Sequence, residues 1–351
     1  MLAISLKKSD TKLDIVKVTA KYIAGESHWG QDAADSCSEA LTSVQSLRDK
    51  ARVVAETGGK SARDQLFKYA ESLQLLHSRV NISSSNAKLQ IPFTWTDAYS
   101  SGKKYTQKNA SFERAALLFN FGAVLSHEAC ARDRTNDTGL KEAYNLFAEA
   151  VGVFDFIKAE VCKDLSQPLS PDISEDGLNF ASALMTAQAQ QCFYLKASMG
   201  GMSRAVLAKL AQGTADAYSL AAGMIDTPTL KAASSMWKSR LQCSTQWFMA
   251  DAEYKISIHE QEQMAIGNEI ARLQRAEVTM GTTAKYLKYV PAEQQEELAQ
   301  LRDQIAIALQ VARKDNETIY MLTVPTDLAA PEGKLMVKPK VSSNLCMACR
   351  R

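Results

Sequence analysis

The sequence predicts a mostly α-helical protein with a minor β element. Apolar residues recur at steps of three and four over long stretches of the 351-residue chain, which is the spacing of amphipathic helices. Only two short stretches alternate in the way that strands do. No linker divides the chain convincingly. We therefore predict one elongated domain in which successive helix hairpins stack as tetratricopeptide repeats do, without a clean repeat length.

Two strand-like stretches are predicted to pair with each other. In residues 2–7 apolar side chains alternate with Ala, Ser and Lys, and residues 89–95 alternate around Pro92. Because proline cannot donate to a sheet ladder, Pro92 favours an edge position. We expect these two stretches to form a small antiparallel sheet beside the helices.

Helices make up the rest of the predicted fold. Residues 111–133 are apolar almost all round through their middle, which indicates a helix buried on most sides. Thr227–Pro228 opens a very long helical region that reaches about residue 279. Further helices are predicted over residues 12–24, 37–54, 66–80, 140–161 and 292–320. The domain is predicted to span residues 1–341, and residues 342–351 are predicted to be a disordered tail.

Residues 176–222 form the predicted centre of the molecule. They read as two helices joined by a tight turn, because Gly200 and Gly201 interrupt the helical pattern. Ser203 follows the turn and is a residue type that caps the start of a helix. The sequence therefore predicts an antiparallel helix hairpin.

The two arms of this hairpin each carry a pair of residues on one face. Phe193 and Lys196 are three apart on the first arm, and Val206 and Leu210 are four apart on the second. Antiparallel packing would join these faces into one apolar surface with a lysine at its edge. Residue spacing alone favours a core stripe over a docking groove, because every packed helix needs such a stripe.

Composition excludes several classes of protein. The net charge is +2, from 41 basic and 39 acidic residues, which gives no reason to expect a nucleic-acid partner. Lys7 and Lys8 interrupt the first apolar run, so no signal peptide is predicted, and no run approaches the length of a membrane span. Seven cysteines, an odd number, fit a reducing compartment. We expect a soluble cytoplasmic protein.

Chemical motifs are weak throughout. The four histidines lie far apart, none is in an H-E-x-x-H sequence, and no Ser or Cys lies in a nucleophile signature. Cys346 and Cys349 form a single C-x-x-C pair, which is half of a zinc site with no second half nearby. The sequence thus predicts no enzyme, no cofactor and no metal.

Several stretches, taken in order, resemble the BRO-one domain of the ALIX family of endosomal-sorting adaptors. FTWTDAY is similar to the family's FxWxDAF segment, and ERAALLFNFGAVLS to its E-x-x-x-V-L-F-N signature. AQAQQCFYLKA followed by AKLA is similar to the ALIX sequence, as are EIARLQRAE and KDNETIY. These stretches begin at Phe93, Glu113, Ala187, Ala208, Glu269 and Lys314. The resemblance runs from residue 1 to about residue 341.

The resemblance implies a curved, boat-shaped helical domain and a function. Domains of this family bind the C-terminal amphipathic helix of an ESCRT-III subunit, the charged multivesicular body protein of the fourth type. They thereby act as non-enzymatic adaptors that reach endosomal membranes through their partners, for multivesicular body sorting and membrane scission. The family's binding residues fall on Phe193, Lys196, Val206 and Leu210, with an acidic position at Asp137. Val206 stands where ALIX has isoleucine.

Departures from the family leave alternatives open. Met321-Leu322-Thr323 replaces the His-Asp-Arg of ALIX, which puts any regulatory role of Tyr320 in doubt. The V-shaped domain and proline-rich tail of the larger adaptors are not in this sequence, so viral late-domain binding is not carried over. A rhophilin-like signalling scaffold that does not bind ESCRT-III is the main alternative function. An enzyme on a helical scaffold is the other.

Overall fold

A computed structural model describes residues 1–9, 12–53, 58–100, 102–231, 233 and 235–340. Val54, the predicted tail and the Cys346–Cys349 pair lie outside these residues. Eleven α-helices occur in the described part: α1 Ile15–Gly25, α2 Gly30–Ser36, α3 Ser38–Val53, α4 Gly59–Val80, α5 Ala110–Cys130, α6 Asp137–Phe156, α7 Glu175–Met199, α8 Arg204–Met224, α9 Ser235–Glu262, α10 Ile266–Thr283 and α11 Ala292–Asp315. Two strands are described, β1 Phe93–Thr96 and β2 Lys104–Gln107.

The helices from α4 onwards form the predicted stack of hairpins. Each packs mainly against the helix before it and the helix after it in the chain. α5 lies at the centre, and from Phe112 to Ser126 every side chain except Arg114 is buried. The mostly helical prediction is thus confirmed, including the helix that is buried on most sides. No helix in the described ranges is both long and apolar enough to cross a membrane.

The predicted sheet exists with a different partner. β1 pairs antiparallel with β2, so that Phe93 lies opposite Gln107 and Thr96 opposite Lys104. Residues 2–7 form no strand, and the prediction that they pair with β1 was wrong. The backbone contact with β1 lies just after this segment, where the Thr96 N–H donates to the Lys8 carbonyl at 2.8 Å.

Side chains of the stacked helices bind the backbone of the N-terminal segment instead. The Ile4 N–H donates to Ser126 Oγ on α5 at 2.9 Å, and the Lys7 N–H donates to Asn120 Oδ1 at 2.7 Å. The Leu2 N–H donates to Gln188 Oε1 on α7 at 2.5 Å. The backbone groups of a helix are hydrogen-bonded to one another along its length and cannot pair with an extended segment. Buried polar side chains therefore form the hydrogen bonds that the backbone of the N-terminal segment needs.

A second correction concerns the long helical region after Pro228. It is divided into α9 and α10, because Met264 adopts a left-handed conformation with φ of 58°. The Ala265 N–H then donates to the Glu260 carbonyl at 2.9 Å, which closes the end of α9. The predicted last helix ends as an α-helix at Asp315 and continues as one π-helical segment, Asn316–Tyr320.

The chain that follows α11 is bound to the helices by hydrogen bonds. We call residues 328–340 the strap, because they run extended across four helices. Arg272 Nη1 on α10 donates to the Ala329 carbonyl at 2.7 Å. The Lys334 N–H donates to the Lys209 carbonyl on α8, and the Lys340 N–H donates to the Ala148 carbonyl on α6, both at 2.9 Å. The strap therefore joins the last hairpin to the centre of the stack.

Candidate docking site

The α7–α8 hairpin is the predicted site, and its turn forms largely as predicted. α7 ends at Met199, and the Gly200 N–H donates to the Lys196 carbonyl at 3.0 Å. Gly201 has φ of +69°, a left-handed conformation that glycine adopts without strain. Ser203 precedes α8, but its side chain makes no capping hydrogen bond. The turn therefore depends on the two glycines and not on a serine cap.

Helix ends bring the two charged residues of the predicted site together. Asp137 is the first residue of α6, where Asn136 Oδ1 caps the helix by accepting from the Gly139 N–H at 2.8 Å. Lys196 lies in the last turn of α7. A carboxylate suits a helix N-terminus and an ammonium suits a C-terminus, so each charge is stabilised by its own helix. The Lys196 ammonium forms an ion pair with Asp137 Oδ1, and both side chains are exposed to solvent.

The apolar residues of the predicted site differ in burial. Phe193 is half-buried, and its ring lies against Tyr144 of α6 with a centroid separation of 6.3 Å. Val206 is 41% exposed on the outer side of α8. We call Phe193, Lys196, Val206 and Asp137 the α7–α8 patch. It combines two partly exposed apolar side chains with one exposed ion pair.

Leu210 does not belong to this surface in the structure. It is 2% exposed and lies in the main hydrophobic core, although it shares a helix face with Val206. Met336 and Val337 of the strap pack against the same core. Spacing along α8 could not distinguish the two residues, because their burial depends on which side chains from other helices pack against each of them.

Gln190 holds the strap in place beside the patch. Its Nε2 donates to the Lys334 carbonyl and its Oε1 accepts from the Met336 N–H, each at 2.9 Å. A primary amide can satisfy both groups of a backbone segment in this way. The close approach also depends on Gly213, where a Cβ would lie 2.4 Å from the Lys334 oxygen.

The end of the strap forms a second border of the site. Lys340 Nζ lies 6.0 Å from the centre of the Tyr144 ring and donates to Asn145 Oδ1 at 2.5 Å. The ring that contacts Phe193 therefore also contacts a cation of the strap. Tyr144 lies within the helix predicted over residues 140–161, and that prediction did not mark it as part of a site. The sequence did not indicate the strap, because a segment that contains proline and glycine is typical of tails. The role of Gln190 had no signal either, because it depends on the strap.

Thiol chemistry is not favoured beside the patch. Cys192 neighbours Phe193 in the chain, and burial raises the pKa of its thiol to about 12. Burial likewise raises the pKa of Cys162 to about 12 and that of Cys243 to about 11. A thiol with such a pKa is protonated at neutral pH and is a poor nucleophile. No metal-binding group of three His, Cys, Asp or Glu residues occurs in the part of the chain that the structure describes.

Known proteins resemble the chain along almost its full length. It is 30% identical over 327 residues to ALG-2 interacting protein X of Dictyostelium discoideum, covering 93% of this chain and 40% of the relative. It is 32% identical over 332 residues to programmed cell death 6-interacting protein of Xenopus laevis, covering 92% and 37%. The chain thus spans about two fifths of the length of these relatives.

Solved structures show the same fold. The ALIX BRO1 CHMP4C complex matches with a TM-score of 0.85 and 30% identity, over 98% of this chain and 96% of that one. A Bro1 domain studied for endosomal targeting matches with a TM-score of 0.79 and 21% identity, over 97% and 92%. The family model of the BRO1-like domain matches residues 1–348. The chain belongs to the BRO1-like domain family.

Proposed function

We propose that the chain is a non-enzymatic adaptor that docks the C-terminal amphipathic helix of an ESCRT-III subunit on the α7–α8 patch. The main support is that Val206 and the Lys196–Asp137 ion pair are exposed, on a fold shared with a BRO1 domain solved with CHMP4C. Docking would place the chain in the cytoplasm and bring it to endosomes through that partner.

The physical basis is recognition of one face of a helix in a shallow groove. Phe193 and Val206 would contact the apolar side chains that an incoming helix presents at steps of three and four. Lys196 and Asp137 are exposed, so each can exchange its partner in the ion pair for a group on the ligand. Such rim charges fix register more than they add affinity.

Leu210 takes a supporting role in this proposal. Because it is 2% exposed and lies in the main core, it supports α8 from within and has no free surface for a ligand. A charged residue at this position would disturb folding as well as docking. Val206 is therefore the better position for a test of binding.

The test is titration of a fluorescent peptide, the C-terminal helix of CHMP4C, against the wild type and Val206→Asp by fluorescence anisotropy. We expect saturable binding by the wild type and at least about tenfold weaker binding by the variant, because the new carboxylate would be desolvated against the ligand.

Leu220→Asp is the matched control. Leu220 is an exposed residue of the same helix, α8, with 57% exposure, so the variant introduces the same charge outside the patch. It should bind as the wild type does, and circular dichroism should show all three proteins equally helical. A folded wild type that does not bind, or equal loss in both variants, would refute the proposal and favour a scaffold that does not engage ESCRT-III.

A further inference from the structure

A second apolar groove lies near the start of the helix stack, between α3 and α4. It consists of two adjoining cavities of about 540 Å³ and 350 Å³ that share Leu47, Ser72 and Leu75 in their walls. Trp29 and Ile23 line the larger cavity from the α1–α2 region. This groove shares no residue with the α7–α8 patch.

The wall that α4 contributes is one continuous stripe. Lys68, Ser72, Leu75 and Arg79 follow at steps of four, three and four, so all four lie on one face of the helix. From the first to the last of them the stripe is about 16 Å long at the rise of an α-helix. Leu75 is 49% exposed in the middle of it. This length matches a ligand helix of about three turns.

The wall that α3 contributes consists of apolar and small side chains. Ala40, Val44 and Leu47 are spaced four and three apart and line the groove, with the small residues Cys37 and Ser43 beside them. Small uncharged side chains let the backbone of another helix approach closely. Val44 and Leu47 pack partly against the main core, so the floor of the groove is fixed.

The charged residues that line the two cavities are mostly basic, namely Lys68, Arg79 and Arg114 against Glu71. Lys68 and Arg79 are exposed at opposite ends of the α4 stripe, and neither has an ion pair or hydrogen bond from its side chain to the residues that the structure describes. Between them the stripe is uncharged. A ligand that complements this pattern carries apolar residues in its middle and a carboxylate near each end.

We propose that the α3–α4 groove is a second docking site, and that its occupant is an acidic amphipathic helix of a partner protein. The helix presents apolar side chains at steps of four and three to Val44, Leu47 and Leu75. Carboxylates near its two ends pair with Lys68 and Arg79. With the α7–α8 patch free to bind its own ligand, one chain holds two helices at once.

The test uses two designed helical peptides about 15 residues long, with the same leucines spaced four, three and four apart. One carries glutamates at both ends and the other carries lysines. We expect saturable binding of the acidic peptide, at least about tenfold tighter than that of the basic peptide, since two exposed ion pairs are replaced by two repulsions. The Lys68→Glu/Arg79→Glu double variant should reverse this preference.

Leu75→Glu should abolish binding of the acidic peptide, whereas Leu220→Glu, at an exposed leucine of α8, should leave it unchanged. Whatever affinity the wild type has for the CHMP4C peptide, both variants should have the same affinity, so that the two sites are tested separately. Equal affinity for both peptides, no saturable binding, or indifference to Leu75→Glu would overturn the proposal. Sedimentation velocity that shows a dimer lost in Leu75→Glu would assign the groove to a second copy and also overturn it.

Discussion

Val206 and Leu210 lie one helical turn apart on α8 but differ in burial. Val206 is 41% exposed, whereas Leu210 is 2% exposed and contributes to the main core. Both were predicted as one apolar face, and the spacing was sufficient for that. Which of them meets solvent depends on how the rest of the chain packs around α8, and no local pattern records that packing.

This difference leads to a prediction about stability. Leu210→Ala should lower the free energy of unfolding by about 2 to 4 kcal/mol, since it removes buried methyl groups and leaves a cavity. Val206→Ala should lower it by less than about 1 kcal/mol, because its side chain is already partly in water. Urea denaturation followed by circular dichroism measures both. Equal losses would show that Val206 is buried in solution.

At the scale of elements, the helices could be predicted from sequence because their apolar periodicity is local. The pairing of extended segments could not be predicted, as residues 2–7 show. Alternation indicates an extended chain, but it does not indicate which groups bind the backbone of that chain. The predicted partner, β1, pairs with β2 instead. The strap was missed for the same reason, because its bonds to Gln190 and Lys209 depend on helices already in place.

The contact between the strap and α8 can be tested through glycine. Gly213→Ala places a Cβ 2.4 Å from the Lys334 oxygen, which is backbone and cannot swing away as a side chain can. We expect amide hydrogen exchange at Lys334 and Met336 to accelerate at least about tenfold, because their bonds to Lys209 and Gln190 must loosen.

Gly223→Ala is the control on the same helix. Nothing lies within 4 Å of a Cβ built at Gly223, so the strap amides should exchange as in the wild type. Unchanged exchange in Gly213→Ala as well would mean that the strap does not rest on α8 in solution. The CHMP4C peptide titration on the same variants would show whether the strap border matters for docking.

At the scale of the whole molecule, the core is divided into two hydrophobic clusters. The larger one includes residues of α4 to α8, and the smaller one is built mainly from α9, α10 and α11. Ile270 and Leu273 contribute to the smaller cluster from α10, and Leu301, Ile305 and Leu309 contribute from one buried face of α11. Because each helix packs mainly on its neighbours in the chain, the two clusters are joined chiefly through α9.

This division predicts that the C-terminal hairpin opens on its own. Native-state hydrogen exchange should show α11 amides exchanging by a partial opening of lower free energy than that of α5, whose residues are buried on nearly every side. Mass spectrometry of peptic fragments at increasing urea concentration would measure both. Identical opening free energies in α5 and α11 would show that the domain unfolds as one unit.

The placement of the N-terminal segment also has a consequence for synthesis on the ribosome. Leu2 is made 186 residues before its partner Gln188, and Lys7 is made 113 residues before its partner Asn120. At ordinary elongation rates the first wait lasts roughly 10 to 40 s. During this interval the nascent chain exposes an apolar stretch, Leu2 and Ile4, that is buried in the finished fold. Chaperones that bind short extended apolar stretches therefore have a defined target here, which disappears once α7 has left the exit tunnel.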